Sequence, residues 1–339
     1  MKSLQITDTH KLDLIELPKP EPKSGEVLLR LQYVGFCGSD LNTYRGRNAL
    51  ALKPVIPGHE ISAVVETIGT DVPSNITVGQ LVTVNPYTAC GQCPSCRRRR
   101  ANACQYNQTL GVQRHGAMSE FIALPWQKVI PADGLDPRDI ALIEPMSVGF
   151  HAVDRGQVTD SDIVLVIGCG MIGVGAIVRA ALRGATVIAM DLDDDKLILA
   201  RQLGAFATIN SAKEDVHLRL QELTDGSGPD VVIEAVGSAV TYATAVNEVA
   251  FTGRIVCIGY APGDVALPTR FFVQKELDIR GSRNALPDDF LAVIRYLRRG
   301  KCPTDRLVSL IVTPEEAADA LARWDAAPGR VFRILVDFK

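Results

Sequence analysis

The sequence has little of several features that mark other classes of protein. Only 6% of its 339 residues are aromatic, and 36 Lys and Arg nearly balance 39 Asp and Glu, leaving a formal charge of −3. That balance does not favour binding to nucleic acid or to an anionic membrane. The longest apolar run, residues 163–178, is Gly-rich, ends at Arg179 and is a little short for a membrane span. The first residues lack an apolar signal region, so we expect a cytoplasmic protein.

The hydrophobic patterning changes along the chain, and at about 150 residues per domain the length suggests about two domains. The first 130 residues contain short β-like runs, at 26–31, 63–68 and 79–84, separated by Gly and Pro. From about residue 147, apolar strands alternate with helical patterns, with strands at 163–167, 186–190, 207–210, 230–235 and 254–259 and helices at 172–182 and 194–203. This alternation predicts a parallel sheet covered by helices on both faces. After about residue 285, a helix (288–299), a strand (308–312), a helix (314–324) and a strand (331–336) could complete that sheet or return to the first domain.

A glycine-rich motif follows the first of these apolar strands. It reads Gly168-Cys-Gly170-Met-Ile-Gly173, it precedes a predicted helix, and Asp191 ends the next strand 18 residues after Gly173. This context is typical of a dinucleotide site, with the pyrophosphate at the helix N-terminus. A carboxylate at position 191 accepts hydrogen bonds from ribose hydroxyls and repels a 2′-phosphate, which favours NAD over NADP. A structural turn, or another ligand such as S-adenosylmethionine, is the alternative.

Four of the eight cysteines lie close together with the spacing C-x2-C-x2-C-x7-C, at Cys90, Cys93, Cys96 and Cys104. Without a signal region a reducing compartment is expected, so this clustering favours a metal over disulfides. Four thiolates leave no open coordination position, which is typical of structural zinc. An iron–sulfur cluster is disfavoured by the seven-residue gap and by Gln105 after the last cysteine. Two disulfides are a second alternative, and the basic run 97–100 is interpreted as a solvated face that offsets the thiolate charge.

Three further segments carry potential ligands for a second, open metal site. They contain Cys37 in Gly-Phe-Cys-Gly-Ser-Asp, His59 and Glu60 in Gly-His-Glu, and Glu144 in Ile-Glu-Pro-Met. Each lies beside Gly or Pro, as expected where loop ends build a site. A thiolate, an imidazole and carboxylates together suffice for a catalytic zinc ion. Any one of these residues alone could equally belong to a core.

These segments occur in one order along the chain, and together they resemble the zinc-dependent medium-chain dehydrogenase/reductase superfamily. Within it, the sequence is most similar to the sorbitol (polyol) and threonine dehydrogenase branch. The resemblance covers essentially the whole chain. It implies an α/β fold class, with a β-rich GroES-like catalytic domain at 1–149 that carries the structural-zinc lobe at about 88–106. A Rossmann NAD-binding domain at 150–286 would follow, then a segment at 287–339 that returns to the catalytic domain, with the active site in the cleft.

The resemblance also implies ligands and roles for individual residues. It implies two zinc ions per chain and NAD, with the catalytic zinc on Cys37 and His59 and with Glu60 and Glu144 as carboxylate ligands or water-linked neighbours, a choice left open. Ser39 corresponds to the first hydroxyl of a proton relay. The residues expected at the cofactor are Gly168, Gly170, Met171, Ile172, Gly173, Asp191, Val236, Ile258, Gly259 and Ser282. A homodimer or homotetramer is expected, with no nucleic-acid or membrane partner.

The implied reaction moves a hydride between NAD and a secondary alcohol of a polyol, sugar or sugar acid, with zinc lowering the pKa of the alcohol. Tyr44, Arg45, Arg47 and Arg283 are the substrate candidates, because guanidinium groups match carboxylates and phosphates; surface charge is the alternative. The chain departs from many relatives at Asn42, where they carry the relay histidine, and an amide does not titrate usefully.

Three other functions stay open at this point. Threonine-type amino-alcohol oxidation shares the same metal motifs. A zinc-free quinone or enoyl reductase is disfavoured by Cys37, His59 and the four-cysteine lobe, which such relatives typically lack. A non-catalytic NAD-binding regulatory protein on the same fold is the third, and only Asn42 points toward it.

Overall fold

The computed structural model describes the backbone of residues 1–339 and every side chain except that of Arg330. The chain divides into two compact units, the first formed by Met1–Glu144 with Leu286–Lys339 and the second by Pro145–Ala285. Within the described residues, no helix is both long and apolar enough to span a membrane.

Strands and helices are numbered here in chain order. The strands are β1 Lys2–Asp8, β2 Lys11–Glu16, β3 Glu26–Phe36, β4 Glu60–Ile68, β5 Leu81–Val84, β6 Phe121–Pro125, β7 Val129–Pro131, β8 Ile163–Ile167, β9 Thr186–Asp191, β10 Ala207–Asn210, β11 Val231–Glu234, β12 Arg254–Cys257, β13 Asp278–Gly281, β14 Leu310–Val312 and β15 Ile334–Asp337. The α-helices are α1 Gly38–Tyr44, α2 Pro94–Arg97, α3 Pro137–Ile140, α4 Ile143–Gly156, α5 Met171–Leu182, α6 Asp194–Gln202, α7 Val216–Leu223, α8 Ala239–Glu248, α9 Arg270–Gln274, α10 Pro287–Leu297, α11 Thr304–Leu307 and α12 Ala317–Ala326.

The first unit is built around a 7-stranded sheet with the order β14-β15-β3-β4-β5-β7, in which β6 also pairs with β3. Its long central strand β3 is buried along most of its length, and it pairs antiparallel with β4, β6 and β15. A separate hairpin, β1-β2, contributes Leu4, Ile6 and Leu12 to the same apolar core. The sheet therefore holds the end of β3 and the start of β4 rigidly beside each other.

The C-terminal segment adds β14 and β15 to this sheet. β15 pairs with β3 in antiparallel register, with Ile334 opposite Phe36 and Asp337 opposite Tyr33. Of the two sequence-based alternatives for this segment, the chain adopts the return to the first unit. The register brings Arg333, just before β15, next to Cys37, just after β3.

The second unit contains a fully parallel 6-stranded sheet with the order β10-β9-β8-β11-β12-β13. The strand order reverses between β8 and β11, and such a switch point at the carboxyl ends of the strands is where α/β sheets bind ligands. β8 is almost wholly buried, as its continuous apolar run predicts. The glycine-rich motif after β8 and Asp191 at the end of β9 lie at this edge of the sheet.

Candidate metal centres and cofactor site

Cys37, His59 and Glu60 converge in the first unit. One ligand atom of each lies within 4.8 Å of the others, and His59 and Glu60 are buried. Cys37 follows β3 and is the N-cap of α1, whereas His59 and Glu60 lie where β4 begins. Because β3 and β4 are paired neighbours, the sheet brings these two distant motifs together. A thiolate, an imidazole and a carboxylate suit zinc, and three protein ligands leave a fourth position open.

Glycines make room for this cluster. Gly35 lies opposite Glu60 in the ladder, and a Cβ atom on Gly35 would lie 2.3 Å from Glu60 Oε2. Gly58, before His59, has a φ of +98°, a left-handed conformation that favours glycine. Any side chain at position 35 would therefore displace the Glu60 carboxylate.

Asp40 ties the two ligand-bearing segments together. Its Oδ2 accepts the Cys37 N–H at 2.8 Å, and its Oδ1 accepts the Gly58 N–H at 3.4 Å. The side chain is fully buried, and burial raises the pKa of this carboxyl although His59 and two backbone donors oppose the shift. Asp40 belongs to the Cys-Gly-Ser-Asp motif, yet its bond to the second segment depends on tertiary structure.

Arg333 is a buried cation at the cluster that sequence patterns do not single out. Its Nη1 lies 3.0 Å from Glu60 Oε1 and donates to the Phe36 carbonyl at 2.5 Å. The two side chains are 5% and 0% exposed, so the pair is shielded from water. Position 333 is remote in sequence from every ligand motif, and only the β3–β15 register reveals its location.

The charges of the cluster depend on one another. Burial by itself would raise the pKa of the Cys37 thiol, but the cationic His59 and Arg333 outweigh it and bring that pKa to about 7. Burial would lower the pKa of His59, and the adjacent Cys37 and Asp40 instead raise it well above its ordinary value. Burial raises the pKa of Glu60, while Arg333 acts against that shift. The cluster thus holds a thiolate more readily than an isolated cysteine does.

Zinc uptake at this cluster should become tighter as the pH rises through 7. Zinc needs the Cys37 thiolate and neutral His59, so binding displaces protons that are held at lower pH. Below about pH 7 both groups hold a proton, so we expect the affinity of the metal-free protein to rise about 100-fold per pH unit there, and about tenfold per unit above pH 7 while only His59 is protonated. Competition with a chelator at about pH 6 and about pH 8 measures this affinity. Because the chain is expected to bind two zinc ions, the zinc-release step that is missing in a Cys37→Ala variant is the one that belongs to the cluster. A pH-independent affinity at that step would contradict the expectation.

Glu144 lies near the cluster, in the first turn of α4, but outside the group of ligand atoms within 4.8 Å of one another. The Tyr87 hydroxyl donates a short hydrogen bond to Glu144 Oε1, and both residues are buried. Burial and this carboxylate raise the pKa of Tyr87 well above its ordinary value, so the phenol is a hydrogen-bond donor. Tyr87 lies just before the four-cysteine segment, and no sequence motif marks it.

Several buried polar atoms at the cluster make no hydrogen bond within the described residues: His59 Nδ1, Glu60 Oε2 and Ser39 Oγ, while Glu60 Oε1 has only its ion pair with Arg333. Buried polar atoms are normally satisfied, so such a concentration indicates a site that takes a ligand. The Cys, His and Glu atoms are metal donors, and the remaining Ser39 hydroxyl is free to bond a bound small molecule. The residues present therefore fit the zinc ion that the sequence predicts.

The substrate candidates in the first unit differ in their surroundings. Arg45 is already ion-paired, with Nε 2.5 Å from Asp325 Oδ1 and Nη2 donating to the Asp325 carbonyl at 3.0 Å. Tyr44 is buried with its ring edge-on to His10, whereas Arg47 and Asn42 are exposed. Arg45 thus has a structural partner. Of the two arginines in this segment, Arg47 therefore remains the candidate to bind the carboxylate of a sugar-acid substrate.

The four-cysteine lobe has the dimensions of a tetrahedral thiolate site. The ligand atoms of Cys90, Cys93, Cys96 and Cys104 lie within 4.8 Å of one another. The Sγ atoms of Cys93 and Cys104 are 3.8 Å apart, and four sulfurs about 2.3 Å from one zinc ion would be about 3.8 Å apart. Backbone N–H groups of Cys90, Cys93 and Tyr106 donate to the sulfurs at 3.3–3.4 Å. Hydrogen bonds from Ser95 and the backbone lower the pKa of Cys93 to about 5.

The dinucleotide fingerprint lies where β8 meets α5. Gly168 has a φ of +93°, and a Cβ on Gly173 would lie 1.8 Å from the Gly168 carbonyl oxygen. Only glycine therefore allows this turn and the close approach of α5 to β8. Asp191 Oδ2 accepts the Cys169 N–H at 2.7 Å, and its Oδ1 accepts from Leu192 at 2.8 Å and Asp193 at 3.1 Å. The carboxylate is held beside the glycine-rich turn.

The other cofactor candidates cluster at the carboxyl edge of the same sheet. Ile258 and Gly259 follow β12, Val236 follows β11 and is half-exposed, and Ser282 follows β13. The Ser282 N–H donates to the Cys257 carbonyl at 2.9 Å, while its buried Oγ has no partner among the described residues. Gly170, Met171 and Ile172 begin α5, and Arg283 is half-buried beyond β13. The sheet places these residues from separate strands along one edge, where the family resemblance implies the cofactor.

Comparisons with known proteins match two different parts of the chain to two family models. Residues 23–134 match the family model of the alcohol dehydrogenase GroES-like domain, and residues 172–299 match that of the zinc-binding dehydrogenase. Together they confirm the predicted fold class, a GroES-like domain with a Rossmann domain. The zinc-binding model, together with similar solved structures that hold NADH or NADP, also agrees with the predicted zinc and nicotinamide cofactors.

Related proteins extend along most of the chain. L-galactonate-5-dehydrogenase of Escherichia coli K12 is 33% identical over 86% of this chain and 85% of its own length. Erythritol/L-threitol dehydrogenase of Mycolicibacterium smegmatis is 33% identical, over 91% of this chain and 89% of its own. The crystal structure of RspB, an alcohol dehydrogenase from E. coli CFT073 in complex with NADH, superposes with a TM-score of 0.91 at 29% identity, covering 99% of each chain. The protein is thus an oxidoreductase, and it belongs to the zinc-dependent medium-chain dehydrogenase/reductase superfamily, in its polyol dehydrogenase branch.

Proposed function

We propose that the protein catalyses the reversible, NAD-dependent oxidation of a secondary alcohol in a polyol, sugar or sugar acid. The observation that carries this proposal is the Cys37–His59–Glu60 donor set, which leaves one coordination position for an alcohol. A chain with the same fold but without such a set could not polarise an alcohol oxygen in this way.

In the proposed reaction, zinc supplies a Lewis acid at the alcohol oxygen and NAD supplies the hydride acceptor. Cys37, His59 and Glu60 would hold the metal, and Arg333 would keep the buried Glu60 carboxylate compensated. The Ser39 hydroxyl, buried and without a partner among the described residues, would relay the alcohol proton, taking it up while giving its own proton to the next acceptor. Asn42 is exposed and cannot take that proton onward, so we propose that it leaves through water.

The proposed preference for NAD rests on Asp191. Its carboxylate is fixed by three backbone N–H groups beside the glycine-rich turn, where it can accept hydrogen bonds from ribose hydroxyls. A 2′-phosphate at the same place would meet this negative charge, and Asp193, Asp194 and Asp195 add to it.

Replacing Asp191 with Asn should weaken the preference for NAD. Loss of charge-assisted bonds to the ribose is worth about 1.5–3 kcal/mol, so we expect the NAD-to-NADP ratio of kcat/KM to fall about 10- to 100-fold. Steady-state kinetics with both cofactors measures this. Asp160→Asn, which removes an exposed charge before β8, at the edge of the sheet opposite Asp191, is the matched control and should leave the ratio almost unchanged. An unaltered ratio in Asp191→Asn would remove Asp191 from cofactor selection.

The proposed substrate class draws on the relatives named for a sugar acid and for polyols. Arg47, exposed beyond α1, could pair with the carboxylate of a sugar acid, whereas a neutral polyol would not need it. We propose a homodimer or homotetramer as the assembled form.

The test is nicotinamide absorbance on mixing zinc-loaded protein and NAD with polyols, aldonates, sugars and threonine, with and without a chelator. We expect reduction of NAD by a polyol, sugar or sugar acid, and loss of that reduction when the metal is removed. If threonine were the best substrate, the proposed substrate class would be wrong and amino-alcohol oxidation would take its place. Bound NAD and two zinc ions per chain without turnover on any compound would contradict the proposal and favour a binding protein.

A further inference from the structure

Two buried glutamates lie at the predicted catalytic zinc site, and they are held in different ways. Glu60 belongs to the group of ligand atoms within 4.8 Å, and Arg333 lies 3.0 Å from its Oε1. Glu144 falls outside that group, and its Oε1 accepts the hydrogen bond of Tyr87. A metal site with one open position needs only one of these carboxylates as a ligand.

Tyr87 is held through both its backbone and its ring. Its backbone carbonyl accepts a hydrogen bond from Lys128 Nζ at 2.5 Å, and its N–H donates to Asn85 Oδ1 at 3.1 Å. Its ring packs edge-on against Phe290, with centroids 6.4 Å apart, and the residue is 5% exposed. These contacts therefore oppose a movement of the phenol that would follow Glu144 toward the metal.

The two glutamates consequently differ in whether binding a metal would break an existing interaction of the carboxylate. Movement of Glu144 onto the metal would break the bond from Tyr87 and leave a buried hydroxyl without an acceptor, which is unfavourable. Glu60 is already within the group of donors, and Arg333 engages its Oε1 while Gly35 leaves space around Oε2. Glu60 can therefore bind a metal without losing its own partner.

We propose that Tyr87 is a positioning residue that keeps Glu144 off the catalytic metal and thereby selects Glu60 as its carboxylate ligand. The inference rests on the proposed function only for the presence of zinc at Cys37 and His59, and it adds a residue that no ligand motif contains. Tyr87 acts through Glu144 and need not touch the substrate.

The test is a double-variant cycle in zinc affinity, which does not depend on turnover. Zinc release to a competing chelator is measured for Glu60→Gln, Tyr87→Phe and the double variant. The zinc-release step that is missing in Cys37→Ala is assigned to the catalytic site, and its affinity is compared among the variants. We expect Glu60→Gln to weaken zinc binding at least about 100-fold, beyond the usual loss of an outer-shell partner. Tyr87→Phe alone should change affinity less than about threefold, and in the double variant it should restore at least about tenfold, because the Tyr87 hydrogen bond then no longer holds Glu144 away from the metal.

Three controls sharpen the cycle. Tyr33→Phe removes the hydroxyl of another buried tyrosine in the same unit, and it should restore nothing in the Glu60→Gln background. Glu144→Gln should leave zinc affinity within about threefold, and adding Glu144→Gln should abolish the rescue by Tyr87→Phe. Cobalt(II) spectra of the same variants should change with Glu60→Gln and not with Tyr87→Phe.

Other results would overturn the inference. A loss of at least about 100-fold in Glu144→Gln, together with a 10- to 100-fold loss in Tyr87→Phe, would make Glu144 the ligand and Tyr87 its supporting partner. A double variant no better than Glu60→Gln would show that Tyr87 does not restrain Glu144. Failure of the proposed function would give a different result. The zinc affinities of the variants would still change as expected from the double-variant cycle, while no compound of the panel reduced NAD.

Discussion

Alanine at position 37 should lower turnover by at least about 10³-fold while the protein stays folded. Cys37 is the thiolate of the predicted catalytic zinc site, and its side chain shares the cluster with His59 and Glu60. A Lewis-acid metal contributes several kcal/mol to the transition state, and each 1.36 kcal/mol is about tenfold in rate. Two remaining ligands would not hold zinc tightly.

The measurement is kcat on the best compound of the substrate panel, with metal analysis of the same sample. We expect zinc to fall from two ions per chain to one, because the four-cysteine lobe is untouched. Cys302→Ala is the matched control, since Cys302 is a free cysteine outside both metal groups. Full activity of Cys37→Ala with one zinc per chain would place the catalytic function elsewhere.

Replacing Cys104 with serine should destabilise the protein without removing the catalytic metal. Cys104 is buried in the lobe, 3.8 Å from Cys93, and it accepts backbone hydrogen bonds from Cys90 and Tyr106. Structural zinc stabilises the folded state because the unfolded chain does not hold a formed site. If three thiolates bind zinc about 100-fold more weakly, the loss is about 2.7 kcal/mol, which lowers the melting temperature by about 5–10 °C.

Thermal unfolding with and without added zinc measures this effect. Excess zinc should raise the melting temperature of Cys104→Ser more than that of the unmodified protein, because its lobe is less saturated. Cys257→Ser, in the second unit and outside both metal groups, tests whether any cysteine substitution is equally harmful. An unchanged melting temperature and two retained zinc ions would contradict a stabilising zinc ion in this lobe.

The second unit follows closely from local sequence pattern. The predicted strand at 163–167 coincides with β8, and the predicted helix at 172–182 begins one residue late relative to α5. Continuous apolar strands and intervening helices are strong local signals, and the parallel connection rules leave few topologies. β13 had no such signal, because it is an exposed edge strand rather than a buried one.

The first unit follows less closely. The run 26–31 is only the first half of β3, which continues through a further buried segment to Phe36. The strand predicted at 308–312 begins at Leu310, and the one predicted at 331–336 begins at Ile334. Antiparallel partners that are remote in sequence define these ends, and local propensity does not contain that information.

For the metal sites, the sequence alone determined which donors are present. The cysteine spacing places four sulfurs on one short loop, and the Cys37 and His59–Glu60 motifs carry the donor types that zinc prefers. The glycine-rich turn and Asp191 are equally local, because a strand, a turn and a helix lie in one continuous segment.

Only the tertiary structure decided which side chains form ion pairs and hydrogen bonds with the buried carboxylates of the site. The β3–β15 register places Arg333 against Glu60, and packing against Phe290 fixes Tyr87 at Glu144. These contacts join residues far apart in sequence, and their strength comes from burial, which excludes water and leaves each charge dependent on its neighbour. Chemical type can be read along the chain, whereas burial and partnership exist only once the sheet has formed.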